Sequence, residues 1–163
     1  MFDKFGEMNS YEEINELAQN LFNEGDLNSL EEMAKENGIE REFVEMYIAG
    51  QTPYLCDAFT AANGKLDIEC EDLKPKELME DWVSYIRCQC MEHTAIALAV
   101  RRKGKTLKGC IAKLLEYSFK NMVTVDKDIV KAADIGSKVN KVTFGVPGMG
   151  RAKKIIREYY MGK

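Results

Sequence analysis

The stretch Ser10-Tyr-Glu-Glu-Ile-Asn-Glu-Leu-Ala-Gln-Asn-Leu-Phe-Asn-Glu-Gly25 decides the class of the fold. Its apolar residues recur at steps of three and four, which places them on one face of an α-helix: Tyr11, Ile14, Leu17, Ala18, Leu21 and Phe22. Ser10 and Glu13 have the spacing of a capping box, and Gly25 is the residue type that most often ends a helix. This segment therefore predicts an amphipathic helix with both ends marked.

The same signals recur along the rest of the chain and predict about eight short helices. Asn28, Pro53 and Pro75 are expected to begin three of them, and the further segments are 43–50, 94–104, 106–118, 126–133 and 148–160. Residues 64–74 are predicted to form a charged loop. The only strand-like run is 141–146, which is typical of a lone extended segment or a small hairpin. The pattern indicates an all-α or nearly all-α fold.

The composition is that of one folded domain. The chain has 163 residues, of which 45% are apolar and 31% charged, so residues 1–163 are predicted to form a single compact domain. The longest uncharged apolar run, Thr94–Val100, is far too short to span a bilayer, and no secretory signal is visible. Five cysteines, an odd number, are typical of free thiols in a reducing compartment. We therefore expect a cytoplasmic protein without a membrane segment.

Charge is divided between the two halves of the chain. Residues 1–80 carry 20 acidic and 6 basic side chains, whereas residues 81–163 carry 7 acidic and 17 basic ones. The formal net charge of −4 thus conceals an acidic half of −14 and a basic half of +10. Such halves either attract each other within one domain or offer two faces to charged partners.

Neither a metal site nor a phosphate-binding loop is predicted. Cys88, Cys90 and His93 stand in the order of metal ligands, but the two cysteines point to different sides of a helix and cannot grip one ion. Segment 145–150 is rich in glycine, yet it lacks the Lys and Ser or Thr with which a Walker loop continues. We expect it to form the turn that begins the last helix. With no cofactor and no catalytic constellation predicted, an interaction protein is favoured over an enzyme.

Segment 34–45 has the offsets of a helix-turn-helix, with Gly38 at the turn. Its second helix begins Glu40-Arg-Glu-Phe-Val-Glu45, in which three acidic residues accompany one basic residue. Phosphate groups repel such a helix. A packed helical hairpin is therefore predicted in preference to a DNA reader.

The basic half contains two groups of cations. Five lie between positions 101 and 108, and the others lie on the last helix: Arg101, Arg102, Lys103, Lys105, Lys108, Arg151, Lys154 and Arg157. The first three occupy the last turn of a predicted helix, where the helix dipole favours each cation by about 0.3–1 kcal/mol. The sequence leaves two interpretations open, a solvated face or a surface that binds nucleic acid or an acidic protein.

Six strings, in order and spanning nearly the whole chain, resemble one known family: Met1–Glu7, Ala34–Ile39, Ala99–Cys110, Leu114–Asn121, Val125–Ala133 and Pro147–Tyr160. Together they resemble the PcfK-like family of conjugative and other mobile elements in Gram-positive bacteria. Within it, the chain looks most similar to the ninth type II-A anti-CRISPR family, whose members inhibit Cas9. None of the strings is a catalytic signature, so the resemblance lies in their number and order.

The resemblance implies a small cytoplasmic protein that disables the RNA-guided nuclease Cas9 by binding it, or its complex with guide RNA, without a cofactor. Cas9 holds its nucleic acids in a positively charged channel, so an acidic surface could occupy cationic sites as a mimic of DNA. The candidate partner-binding residues follow from charge alone: Glu31, Glu32, Glu40, Glu42 and Glu45.

A second function fits the same sequence. An accessory protein of a mobile element would bind nucleic acid directly through the eight basic residues named above, with an affinity that falls steeply as salt rises. Apolar stripes that need burial could also face a second copy of the chain, so a homo-oligomer is compatible with the pattern.

Overall fold

The computed structural model describes residues 4–133, 135, 139 and 141–162. Within them the chain is mostly helical, and the regular structure outside the helices is one two-stranded sheet, so the nearly all-α class that the sequence predicts is confirmed. No helix in this part of the chain is both long and apolar enough to cross a membrane. In chain order the elements are α1 (Tyr11–Asn23), α2 (Leu27–Glu36), α3 (Arg41–Ile48), α4 (Ala58–Leu73), α5 (Leu78–Glu92), α6 (Thr94–Arg101), α7 (Leu107–Lys120), β1 (Val123–Thr124), α8 (Lys127–Ala132), β2 (Thr143–Phe144) and α9 (Met149–Met161).

Helices α1–α3 enclose the first of two apolar cores. The predicted cap of α1 is confirmed, because Ser10 Oγ accepts a hydrogen bond from the Glu13 backbone N–H (3.3 Å). The carboxylate of Glu13 in turn accepts one from the Asn9 N–H (2.7 Å). The buried side chains of this core are Ile14, Ala18, Leu21, Leu30, Met33, Ala34, Ile39, Val44, Leu55, Cys56 and Ala61.

Helix α4 continues through Gly64, so the prediction of a charged loop over 64–74 is wrong. Gly64 does not end a helix; it allows a close contact between two backbones. A β-carbon on Gly64 would lie 2.5 Å from the carbonyl oxygen of Gly38, which itself turns the chain from α2 to α3 with a φ of +73°. Two glycines therefore let α4 pack directly against the α2–α3 turn.

The chain before α4 is not helical, and the helix predicted to begin at Pro53 begins at Ala58. Asn15 of α1 holds this segment away from a helical path. Its Oδ1 accepts hydrogen bonds from the N–H groups of Leu55 and Cys56 (3.0 Å each), and its Nδ2 donates to the Cys56 carbonyl (2.8 Å). These three bonds tie the segment to α1, and α4 begins just beyond them.

Two other helices begin at residues different from those predicted. Asp26, not Asn28, precedes α2, since Asp26 Oδ1 accepts a hydrogen bond from the Ser29 N–H (3.0 Å). Helix α5 begins at Leu78, three residues after Pro75. Both errors concern helix ends, where several neighbouring residues are of types that can cap a helix.

The second core lies among α4–α7 and α9. The predicted cap of α7 is confirmed, because Thr106 Oγ1 accepts a hydrogen bond from the Gly109 N–H (3.0 Å). The glycine-rich segment forms the turn before α9, as predicted, with Gly148 directly preceding the helix. The buried side chains are Ala58, Ala62, Leu66, Trp82, Val83, Ile86, Cys90, Ile96, Ala97, Ala99, Val100, Leu107, Cys110, Leu114, Ala152, Ile156 and Tyr160.

A small antiparallel sheet pairs Val123 with Phe144 and Thr124 with Thr143. The strand-like run is thus half of a two-stranded ribbon, one of the two forms that the sequence predicts for it. Residues that are paired directly across two strands point to the same side of a sheet, so Val123 and Phe144 share one face. Both are 68% exposed.

Gly145 fixes the orientation of this ribbon. A β-carbon there would lie 2.1 Å from the Ser118 carbonyl oxygen at the end of α7, so the ribbon approaches α7 on the side of Gly145. Phe144, the last residue of β2, is largely exposed and therefore does not pack against α7. The outward face of the ribbon is apolar and exposed.

Candidate protein interface

The N-terminal strap, which we define as residues 4–9, crosses the end of α2. The N–H groups of Lys4 and Phe5 donate to the two carboxylate oxygens of Glu36 (2.8 Å each). The N–H of Met8 donates to Asn37 Oδ1 (3.1 Å). These bonds fix the strap between the two cores, where it supplies partners to the two buried cations of the described residues.

Arg101 is the first of these cations, and it is 1% exposed. Its guanidinium group donates to the carbonyl oxygens of Met8 (3.1 Å), Ala61 (3.2 Å) and Asn37 (3.4 Å), and also to Asn37 Oδ1. Burial lowers the pKa of Arg101, and the Glu7 carboxylate opposes that change. The prediction that Arg101 belongs to a basic surface is therefore wrong. The last turn of α6 faces α4 rather than solvent.

Lys65 is the second buried cation, and sequence reasoning missed it. Its Nζ donates to the carbonyl oxygens of Arg102 (2.7 Å) and Lys105 (3.2 Å) and lies 2.9 Å from Glu7 Oε1. A helical interpretation of 58–73 would have found this residue, because position 65 lies one turn from the buried Ala61. The predicted loop concealed that periodicity.

Lys105 is half-buried and also has a structural role. Its Nζ donates to the carbonyl oxygens of Tyr159 (2.7 Å) and Gly162 (3.1 Å), which lie at the C-terminal end of α9. A cation at this end is favoured by the helix dipole. Lys105 therefore joins the loop after α6 to α9. Among the predicted basic residues, six remain exposed: Arg102, Lys103, Lys108, Arg151, Lys154 and Arg157.

The exposed cations of α9 are divided between two sides of the helix. Arg151 lies over the ring of Tyr117 of α7, 5.8 Å from its centroid. Lys153, which is one turn from Arg157, lies over the ring of Tyr85 of α5, 5.1 Å from its centroid. The basic residues of α9 thus flank the helix instead of forming one track along it.

The five predicted acidic residues all lie on the hairpin of α2 and α3, and all are exposed. Glu32 forms an ion pair with Lys4 (2.7 Å), and Glu45 forms one with Arg41 (2.9 Å). The remaining three, Glu31, Glu40 and Glu42, make no ion pair with any residue that the structure describes. We call these three the free glutamates of the hairpin.

The surroundings of Cys88 and Cys90 differ, because the two side chains point to different sides of α5, as predicted. Cys88 is exposed, whereas burial raises the pKa of Cys56, Cys90 and Cys110 to about 12. The Glu92 carboxylate raises the pKa of the exposed Cys88 as well. Within the part of the chain that the structure describes, no three Cys, His, Asp or Glu side chains are placed to hold a metal ion.

Alkylation of the native protein at pH 8 is therefore expected to modify Cys88 first. The thiolate is the reacting species, so a buried thiol with a pKa near 12 should react at least ~100-fold more slowly. Mass spectrometry after a timed iodoacetamide pulse measures this order, and Cys88→Ser serves as the control that removes the fast site. Equal rates at Cys88 and Cys90 would contradict the placement of α5.

Comparisons of the chain with protein-family models, with curated proteins and with solved structures find no match. What the protein does must therefore be inferred from its own residues and surfaces. The acidic hairpin, the divided basic residues and the grooves between helices are the features that can meet a partner.

Proposed function

We propose that this protein acts in the cytoplasm as an inhibitor of the RNA-guided nuclease Cas9, and that it inhibits by binding, without catalysis and without a cofactor. The resemblance to the PcfK-like and anti-CRISPR families suggests the partner. The observation that carries the proposal is the exposure of the free glutamates on one short helical hairpin. Three carboxylates that make no ion pair with a described residue are available to cations of another protein.

Cas9 is a suitable partner on electrostatic grounds. Its channel for guide and target is positively charged, and it recognises a short DNA motif through arginines. Carboxylates spaced along α2 and α3 can pair with such side chains and so exclude the phosphates of DNA. Electrostatic complementarity of this kind mainly increases the association rate, and salt weakens it. Inhibition should therefore weaken as ionic strength rises.

Neutralising the free glutamates is expected to weaken binding to Cas9 at least ~tenfold and to reduce its salt dependence, because each lost charge removes part of the attraction. The variant is Glu31→Gln with Glu40→Gln and Glu42→Gln. A control of equal charge change is Glu16→Gln with Glu71→Gln and Asp72→Asn, three exposed residues outside the hairpin. Surface substitutions of this type change folding stability by about 0.5 kcal/mol or less.

The measurement is the dissociation constant for purified Cas9 at several salt concentrations, together with target cleavage in the presence of each variant. We expect the hairpin variant to lose affinity and the control to stay within about twofold of the unchanged protein. An equal loss in both variants would show that net charge, not the hairpin, attracts the nuclease. No loss in either would rule out the acidic hairpin as the interface.

The second candidate function is direct nucleic-acid binding by an accessory protein of a mobile element. It is favoured by the six exposed basic residues, and it is weakened by their division between two sides of α9 and by the structural role of Arg101 and Lys105. A gel-shift series with duplex DNA, without nuclease and at rising salt, separates the functions. Tight binding that falls steeply with salt would favour the accessory protein.

A further inference from the structure

A groove of about 500 Å³ opens where α1, α4, α5 and α6 meet the segment before α4. Three aromatic rings line it, from Tyr11, Tyr54 and Phe59, and Met91 adds an apolar side chain. Tyr54 is 53% exposed and Met91 68% exposed, so one ring and the thioether are accessible from solvent, while the rings of Tyr11 and Phe59 are half-buried. The volume is within the range of sites that receive a ligand or a single large side chain.

The charge of this groove is negative. Among the described residues that line it, Asp57 is the one that carries a charge, and the Glu12 carboxylate lies close to the hydroxyl of Tyr11. The Glu12 carboxylate raises the pKa of Tyr11, and Asp57 acts in the same direction. Burial raises the pKa of Cys56, and there Arg101 opposes the smaller effect of the same two carboxylates. The Tyr11 hydroxyl is therefore the group that lies in the negative field of both carboxylates.

Helix dipoles do not cancel this field. Helices α1, α4 and α6 begin at the groove and α5 ends there, so the positive N-terminal end of α6 is offset by the negative C-terminal end of α5. The N-terminal ends of α1 and α4 remain, each equivalent to about half a positive charge. Asp57 caps α4 by accepting a hydrogen bond from the Thr60 N–H (2.7 Å), and Glu12 lies in the first turn of α1. Each end therefore carries a full negative charge that exceeds its own dipole.

We propose that this groove binds an arginine side chain of the partner protein; the proposal rests on the function proposed above, in which that partner is Cas9. Aromatic faces beside carboxylates attract a cation, and a guanidinium group suits them best, because it is planar, stacks on rings and pairs with carboxylates through several N–H groups. The aliphatic stem of the arginine packs on Met91 and Phe59. Tyrosine and arginine are also the residues that dominate the energetics of protein interfaces.

The first experiment uses the protein alone. The probes are N-acetyl-arginine methylamide and its uncharged counterpart N-acetyl-norleucine methylamide, and the readout is the methyl resonance of Met91 in protein labelled at its methionines. We expect a saturable shift with the arginine probe and no such shift with the norleucine probe. Tyr54→Ala should remove the shift, and Glu12→Gln should weaken it more than Glu16→Gln, which lies one turn further along α1. Equal responses to both probes would overturn the proposal.

The second experiment measures Cas9 binding. We expect Tyr54→Ala to lower the affinity at least ~tenfold, as the loss of an aromatic anchor does, whereas Phe119→Ala, an exposed aromatic outside the groove, leaves it unchanged. If the unchanged protein binds Cas9 and Tyr54→Ala binds equally well, the groove is not part of the interface and the inhibitor function stands. If the unchanged protein does not bind Cas9, the inhibitor function fails, and the arginine probe still decides the chemistry of the groove.

Discussion

Replacing Arg101 with methionine is expected to lower the free energy of unfolding by about 3–5 kcal/mol, because several buried acceptors lose their hydrogen-bond donor at once. Methionine preserves much of the side-chain volume, so the loss comes from hydrogen bonding and not from a cavity. The carbonyl groups of Met8, Asn37 and Ala61 would lose their donor. A buried polar group without a partner costs about 1–3 kcal/mol.

The neighbouring residue supplies a matched control for this prediction. Arg102→Met makes the same chemical change at an exposed position and should alter stability by about 0.5 kcal/mol or less. Urea unfolding followed by the fluorescence of Trp82, the single tryptophan and a member of the second core, measures both variants. Similar midpoints for the two variants would mean that the buried network contributes little to stability.

Gly64→Ala is expected to destabilise the protein by about 3 kcal/mol or more, at the upper end of the cost of overpacking. In an exposed helix the same change stabilises by about 1 kcal/mol, because alanine is the better helix former. The effect on stability has the opposite sign at Gly64, because the new β-carbon would lie 2.5 Å from the Gly38 carbonyl oxygen. Backbone atoms cannot move aside as a flexible side chain can, so α4 must separate from the α2–α3 turn.

Gly150→Ala tests whether the reversal is specific to that contact. Gly150 lies in the first turn of α9, and a β-carbon there meets no atom within 4 Å. This variant should be as stable as the unchanged protein or more stable by up to ~1 kcal/mol. Urea unfolding of both variants gives the comparison. A stabilising effect of Gly64→Ala would contradict the close approach of the two glycines.

The helical class and several helix caps could be predicted from sequence because their causes are local. Ser10 and Thr106 cap α1 and α7 through residues three positions ahead. The exposure of Glu42 and Glu45 likewise follows from the helical period, which places them off the face of the buried Val44.

The remaining features have causes that are distant in the chain. Gly64 resembles a helix end unless the approach of Gly38 is known. Arg101 suits the end of a helix on electrostatic grounds, so nothing local indicates that Met8 and Asn37 surround it. The aromatic groove combines residues from α1, α4, α5 and α6, and no single segment contains its pattern. The hydrophobic periodicity of a sequence does not predict tertiary contacts of this kind.

The N-terminal strap also has a consequence for the order in which the protein is built. Met8 and Arg101 are separated by 93 positions, and the strap's bond to the guanidinium requires the last residue of α6. Protein synthesis proceeds from the N-terminus, and segments fold as they emerge. Helices α1–α3 can thus form while α6 is still unmade. The strap is synthesised before all of them and can bond to Glu36 and Asn37 early, yet its bond to Arg101 forms only after α6 has left the ribosome.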